Sequence, residues 1–226
     1  MTGQRGDLMR TRYENQLVRL NEALIEMGGM VEKAIANAVT AMVDQNVELA
    51  RSTIEYDQEV DNMEKEIESL CLKLILQQQP VARDLRLISS ALKMITDLER
   101  IGDHAEDISE LTILLSGKAY VKKLEHIPRM AAEASKMVTE SIEAFVKKDL
   151  DLAREVMRYD DKVDDLFDSV RNELVEYMRE NSGDSDQAID LLMIAKYFER
   201  IGDHAKNVAE WVEFSLTGSH KDHKIM

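Results

Sequence analysis

Proline occurs only twice in 226 residues, at Pro80 and Pro128, glycine only nine times, and aromatic residues make up 5% of the chain. That scarcity removes most of the material of turns and packed sheets, and Leu, Ala, Met, Glu and Lys dominate what remains. The composition predicts an all-α fold with no sheet. One cysteine, Cys71, excludes an internal disulfide, and its place beside an apolar stripe makes it a packed thiol rather than a reactive one. No run approaches the roughly 18 apolar residues of a membrane span, and the opening residues lack the hydrophobic segment of a signal peptide. A cytoplasmic protein without membrane insertion is therefore expected. Basic side chains are also short, 29 against 44 acidic ones, for a net charge of -15. No basic patch interrupts the excess, which argues against nucleic acid and anionic lipid as direct partners.

What is present is apolar periodicity. Apolar or small residues recur at alternating spacings of four and three, as in a bundle seam, along six segments. Leu17, Leu20, Leu24, Met27 and Val31 mark the first and Val60, Met63, Ile67 and Leu70 the second. Met94, Leu98, Ile101, Ala105 and Ile108 mark the third. The fourth carries Ala131, Ala134, Val138 and Ser141, the fifth Val156, Tyr159, Val163 and Leu166, and the sixth Ile194, Phe198, Ile201, Ala205 and Val208. Short connections make consecutive helices antiparallel, so two three-helix bundles are expected, over 12–116 and 120–217. The residues before Arg12 and the tail after Thr217, with His220 and His223, show no periodicity and read as mobile ends.

The second set of helices repeats the first. Glu99-Arg100-Ile101-Gly102-Asp103-His104-Ala105 returns unchanged as Glu199-Arg200-Ile201-Gly202-Asp203-His204-Ala205, and Tyr56-Asp57 returns as Tyr159-Asp160. On the third helix Glu99, Asp103 and Asp107 fall within about 80° of one another and away from the core seam. Asp57 and Asp61 form a similar strip on the second helix. Asp160 with Asp164, and Glu199 with Asp203, are the equivalents in the second half.

Residues level across an antiparallel hairpin have numbers of constant sum. Asp57 with Asp103 and Asp61 with Glu99 share one sum, which centres the turn on Pro80, where Gln77-Gln78-Gln79-Pro80 breaks the helix. Asp160 with Asp203 and Asp164 with Glu199 share another, centred between Asn181 and Ser182 in the breaker-rich Asn181-Ser182-Gly183-Asp184. Four acids at one height are thus expected in each bundle. Like charges at such spacings repel, and a cation relieves the repulsion. Oxygen-only clusters suit hard or borderline divalent ions such as magnesium, calcium, manganese or iron, and four or more carboxylates can hold more than one ion. A solvated acidic face is the plainer alternative for any single strip; duplication and level placement favour cation binding. Gly102 and Gly202, costly in mid-helix, mark a close approach by a neighbouring helix or a ligand. His104 and His204 point away from Glu99 and read as surface or packing residues, and Arg100 and Arg200 as partners of local acids. No nucleophile constellation is visible, and the Glu-x-x-His pairs of a carboxylate-bridged oxidase are absent. A purely structural helical spacer remains as the third reading.

The duplicated string, together with Tyr-Asp-x-x-Val-Asp at Tyr56 to Asp61 and Tyr159 to Asp164 and the segment Gln79 to Arg86, resembles the PhoU family of phosphate-uptake regulators over about residues 10 to 217. The resemblance implies pseudosymmetric bundles with divalent or trivalent metal ions (iron, zinc, manganese or magnesium), in multinuclear clusters, on their acidic faces. The metal positions it implies are Asp57, Asp61, Glu99, Asp103 and Asp107, with Asp160, Asp164, Glu199 and Asp203 in the second bundle. Asn207 stands where Asp107 stands in the first half, and Phe167 and Arg171 replace Glu64 and Glu68, which implies a weaker second cluster. It further implies a negative regulator that links the ATPase subunit of a phosphate ABC transporter to a phosphate-responsive histidine kinase. Monomer and homodimer both stay open.

Overall fold

The computed structural model describes residues 2–78, 80, 83–121, 125–181, 185–220 and 223–224. Six helices carry the fold: α1 (Thr2–Asp44), α2 (Val47–Gln78), α3 (Arg83–Leu115), α4 (Ile127–Lys147), α5 (Leu150–Glu180) and α6 (Ser185–Thr217). Among the described residues, no helix is long and apolar enough to cross a membrane. The seams expected from periodicity are the ones buried. Leu20, Leu24, Met27 and Val31 of α1 have no solvent exposure, nor have Met94, Leu98, Ile101, Ala105 and Ile108 of α3 or Phe198, Ile201 and Ala205 of α6. Each large side chain so buried contributes about 1.5–3 kcal/mol, and the summed seam rather than helix propensity holds helices of this length together.

The duplication is visible in the joints. Gln45 and Lys148 take left-handed φ values of 50° and 56°. The next residue in each case caps the following helix. Asn46 Oδ1 accepts from the Leu49 amide and Asp149 Oδ1 from the Leu152 amide, both at 3.0 Å. Pro128 sits in the first turn of α4, where its missing N–H costs nothing. Pro80 falls in the break between α2 and α3, as the hairpin arithmetic expects. Gln79, Val81, Ala82 and the segment 182–184 lie outside the described residues.

Within each set of three helices every pair packs, and the two sets join through α3 against α6 and α1 against α4. Gly28 permits the second of these contacts, since a Cβ there would overlap Ile142.

The ends depart from expectation. Helix α1 begins at Thr2. After α6 the chain pairs Ser219–His220 with His223–Lys224, the paired strands among the described residues. His220 stacks on Trp211 at 4.0 Å between ring centroids and 10° between planes. An aromatic surface on the last turns of α6 therefore holds His220, in a segment that shows no helical period.

Candidate metal centre

At about 100° per residue, the repeated seven-residue string divides into three faces. Ile101 and Ala105 enter the core. Glu99 and Asp103 turn toward α2. Arg100 and His104 turn toward the other bundle. The same division holds for α6, so the acids of the two copies diverge into separate hairpins while their basic residues meet.

In the first hairpin one carboxylate oxygen from each of Asp57, Asp61 and Asp103 lies within 4.8 Å of the other two. All three residues are half-buried. Helix α3 approaches α2 closely here because Gly102 has no side chain: a Cβ at that position would stand 2.8 Å from Asp57 Oδ1 and 3.1 Å from Val60 Cγ1. The mid-helix glycine is thus accounted for by the neighbouring helix and by the carboxylate it carries. Behind Asp57, the Lys33 ammonium stands 4.1 Å from the centroid of the Tyr56 ring. This cation–π contact ties α1 to α2 next to the acids.

The electrostatics mark this hairpin as charge-frustrated. Burial, and then the neighbouring Glu106, Asp103, Asp61 and Glu99, push the Asp57 carboxyl up to about 7. Glu64, Glu99 and Glu106 are raised as well, burial first in each case. Asp57 Oδ1 is buried without a hydrogen-bond partner among the described residues. An orphaned carboxylate oxygen beside two further carboxylates, with no nitrogen or sulfur ligand, is a donor set that fits a hard divalent cation.

Not every expected acid joins this group. Glu99 borders it and shares Arg100 with Asp103, at 3.4 and 2.6 Å respectively. Asp107 does not reach it and stands 3.2 Å from His104 Nδ1. The acid that crowds Asp57 most is Glu106, which sequence reasoning missed. The helical angle explains both. Glu106 lies about 20° from Glu99, whereas Asp107 lies about 80° away on the side facing α6. The seven-residue step from Glu99 to Glu106 was the available signal.

The second hairpin holds the same acids in a different state. Asp160 is buried, with its Oδ2 2.6 Å from Lys206 Nζ. Glu199 pairs with Lys196. Asp164 and Asp203 are both raised, by burial first and then by Asp160 and Glu199 in differing order, with Lys206 opposing the shift in each. The equivalents of Lys196 and Lys206 in the first half are Thr96 and Glu106. Two ammonium groups therefore stand where the first bundle has a hydroxyl and a further acid. Among the described residues, the second set of acids forms no group of three as close as the first.

Where the bundles meet, α3 and α6 are joined by groups that the duplication places face to face. The His104 and His204 rings are 5.5 Å apart, and His104 stacks on Tyr197 at 5.4 Å. Asp97 Oδ1 lies 2.8 Å from His204 Nδ1 and accepts from Asn207 Nδ2 at 3.2 Å. The histidines are packing residues, as expected. Asp97 had no repeated counterpart to draw attention to it, since Tyr197 occupies its equivalent position.

Comparison with known proteins agrees with this architecture. A family model described as "PhoU domain" matches twice, over residues 24–112 and 127–212. A relative from Clostridium acetobutylicum, named "Phosphate-specific transport system accessory protein PhoU homolog", is 38% identical over 216 residues, 95% of this chain and 99% of that protein. The crystal structure of PhoU from Pseudomonas aeruginosa is 35% identical and superimposes with a TM-score of 0.88, covering 92% of this chain and all of that one. A PhoU structure from Streptococcus pneumoniae shares the fold, with a TM-score of 0.86 at 23% identity.

Proposed function

The chain belongs to the PhoU family, and from that premise we infer that it serves a phosphate transport system as a non-catalytic regulator whose first helical hairpin binds a divalent cation. The family match over both halves supports the phosphate role. The group formed by Asp103 of the repeated string with Asp57 and Asp61 of the facing helix α2 carries the metal reading. A bound cation would neutralise carboxylates that otherwise repel one another across α2 and α3. Gly102 keeps the helices close enough for those carboxylates to converge, and Arg100 offsets part of their charge meanwhile. Neutralised and fixed, this acidic face becomes a surface on which a partner docks. The partners that the reading names are the ATPase subunit of a phosphate ABC transporter and a phosphate-responsive histidine kinase, met in the cytoplasm, with negative regulation as the outcome.

The test is elemental analysis of the purified full chain after loading and dialysis, followed by pull-down from phosphate-replete cells. The unaltered chain is expected to retain divalent metal, and Asp57→Ala with Asp103→Ala to lose metal and partner together. Equal metal content in the two proteins would overturn the metal reading. Retention of neither transporter nor kinase subunits by the loaded chain would overturn the adaptor.

A further inference from the structure

The two copies of the repeated string converge on a cavity of about 730 Å³ between α3 and α6, lined by Arg100, His104, Arg200, His204 and Lys206 among others. The acids reaching it are Asp203 and Glu210. In a chain of net charge -15, this is a concavity whose lining carries two guanidinium groups and one ammonium against two acids, with Arg100 and Lys206 also paired to carboxylates outside the lining and Arg200 left uncommitted among the described residues. Arg200 makes no hydrogen bond or ion pair among the described residues, although its planar fork of donors suits two oxygens of a tetrahedral anion. Both imidazoles spend Nδ1 on carboxylates, His104 on Asp107 and His204 on Asp97, so the rings stand as fixed walls. Asn207, also bonded to Asp97, closes the same side.

We propose that this inter-bundle cavity binds the phosphate group of a small molecule, with Arg200 as its principal ligand and Arg100 and Lys206 supplying further positive charge. The site differs from the acidic hairpin and does not rest on metal binding there. Its volume lies in the range of cavities that enclose a whole small molecule, so a phosphate monoester fits as well as the free anion. Because the cavity is built by both repeats, an anion held there bridges the two bundles and favours their observed packing.

The experiment is equilibrium dialysis of the full chain with a chelator present, so that anion carried by metal on the acidic hairpin is not counted. Inorganic phosphate and adenosine monophosphate are the separate probes. Saturable binding of one probe molecule per chain is expected. Arg200→Ala, on an exposed side chain whose loss leaves the core intact, is expected to weaken it by about tenfold or more, the scale of one charge-assisted bidentate contact. Arg154→Ala, which removes an ion pair with Glu213 elsewhere, is the control and leaves affinity unchanged. Binding of both probes means that the free anion suffices, and binding of the monophosphate alone means that the ligand is a phosphorylated metabolite; either supports the site. Absence of saturable binding for both probes, or affinity unchanged in both Arg200→Ala and Arg100→Ala, would overturn it.

Discussion

Gly102 and Asp57 are close neighbours across the first hairpin: a Cβ at position 102 would stand 2.8 Å from Asp57 Oδ1, so any side chain there must displace that carboxyl. At the duplicated position the fit is looser, with Val163 Cγ1 at 3.4 Å and Asp160 Oδ1 at 3.6 Å from a Cβ on Gly202. The two glycine-to-alanine substitutions should therefore part company. Gly202→Ala meets ordinary contact and gains helix propensity, for up to about 1 kcal/mol of stability. Gly102→Ala gains the same propensity but must push the Asp57 carboxyl aside and crowd Val60. Its stability should change little while its affinity for divalent metal falls. Thermal unfolding and metal titration of both variants check this, and equal metal affinity in Gly102→Ala and the parent would contradict it.

The fold was legible because each helix carries a seam long enough to fix its buried face, and because the repeat confirms each assignment once more. The height of the acids was legible for the same reason: Asp57, Asp61 and Asp103 meet where a turn centred on Pro80 requires. Three features were not. Glu106 lies only about 20° from Glu99, against about 80° for Asp107, but the repeat drew no attention to it, because its equivalent in the second half is Lys206. Lys206 looks like an ordinary surface lysine until α5 places a buried carboxylate against it. The meeting of Arg100 with Arg200 depends on how the two bundles dock, and no periodicity within either bundle encodes that.

Stability of the metal-free protein should fall as pH rises through the neutral range. Asp57 is raised from 3.8 to about 7, so the folded state holds its proton more tightly than the unfolded chain does. Its contribution is complete below the ordinary carboxyl value, declines above it, and is lost once pH passes about 7. Calorimetry in chelator between about pH 5 and 8 should show this decline, and Asp57→Asn should flatten it. At the alkaline end, divalent metal at a hundred times its Kd should restore about 2.7 kcal/mol, and less at the acid end, where protons compete for the same oxygens. A decline of equal slope in Asp57→Asn would show that other groups cause it.

Cys71 offers a probe of global opening that leaves both candidate sites untouched. It is fully buried, and burial, then Glu68, pushes its thiol up to about 12. The thiolate, which is the reacting form, is therefore scarce while the protein is folded. Iodoacetamide at about pH 8 should leave the native chain unlabelled and modify it only at the rate at which the first bundle opens. Labelling of the folded protein as fast as of the denatured chain would mean that α2 is not packed here as described.

Lys206 should decide how many ions the chain carries. Its ammonium already supplies positive charge to Asp160 at 2.6 Å, in the position where the first bundle has Glu106. The second hairpin thus holds an internal cation and has less need of an external one. Lys206→Met removes that charge from a buried carboxylate and should cost about 2 kcal/mol without metal, at the low side for a broken buried pair because the lysine is partly exposed. Lys206→Glu rebuilds the acidic environment of the first hairpin. It should be similarly unstable in chelator, yet regain stability on metal addition and retain about one more ion per chain than the parent, which calorimetry and elemental analysis will read. If instead Asp160→Asn in the parent removes as much bound metal as Asp57→Asn, the lysine is not standing in for an ion, and both hairpins load alike.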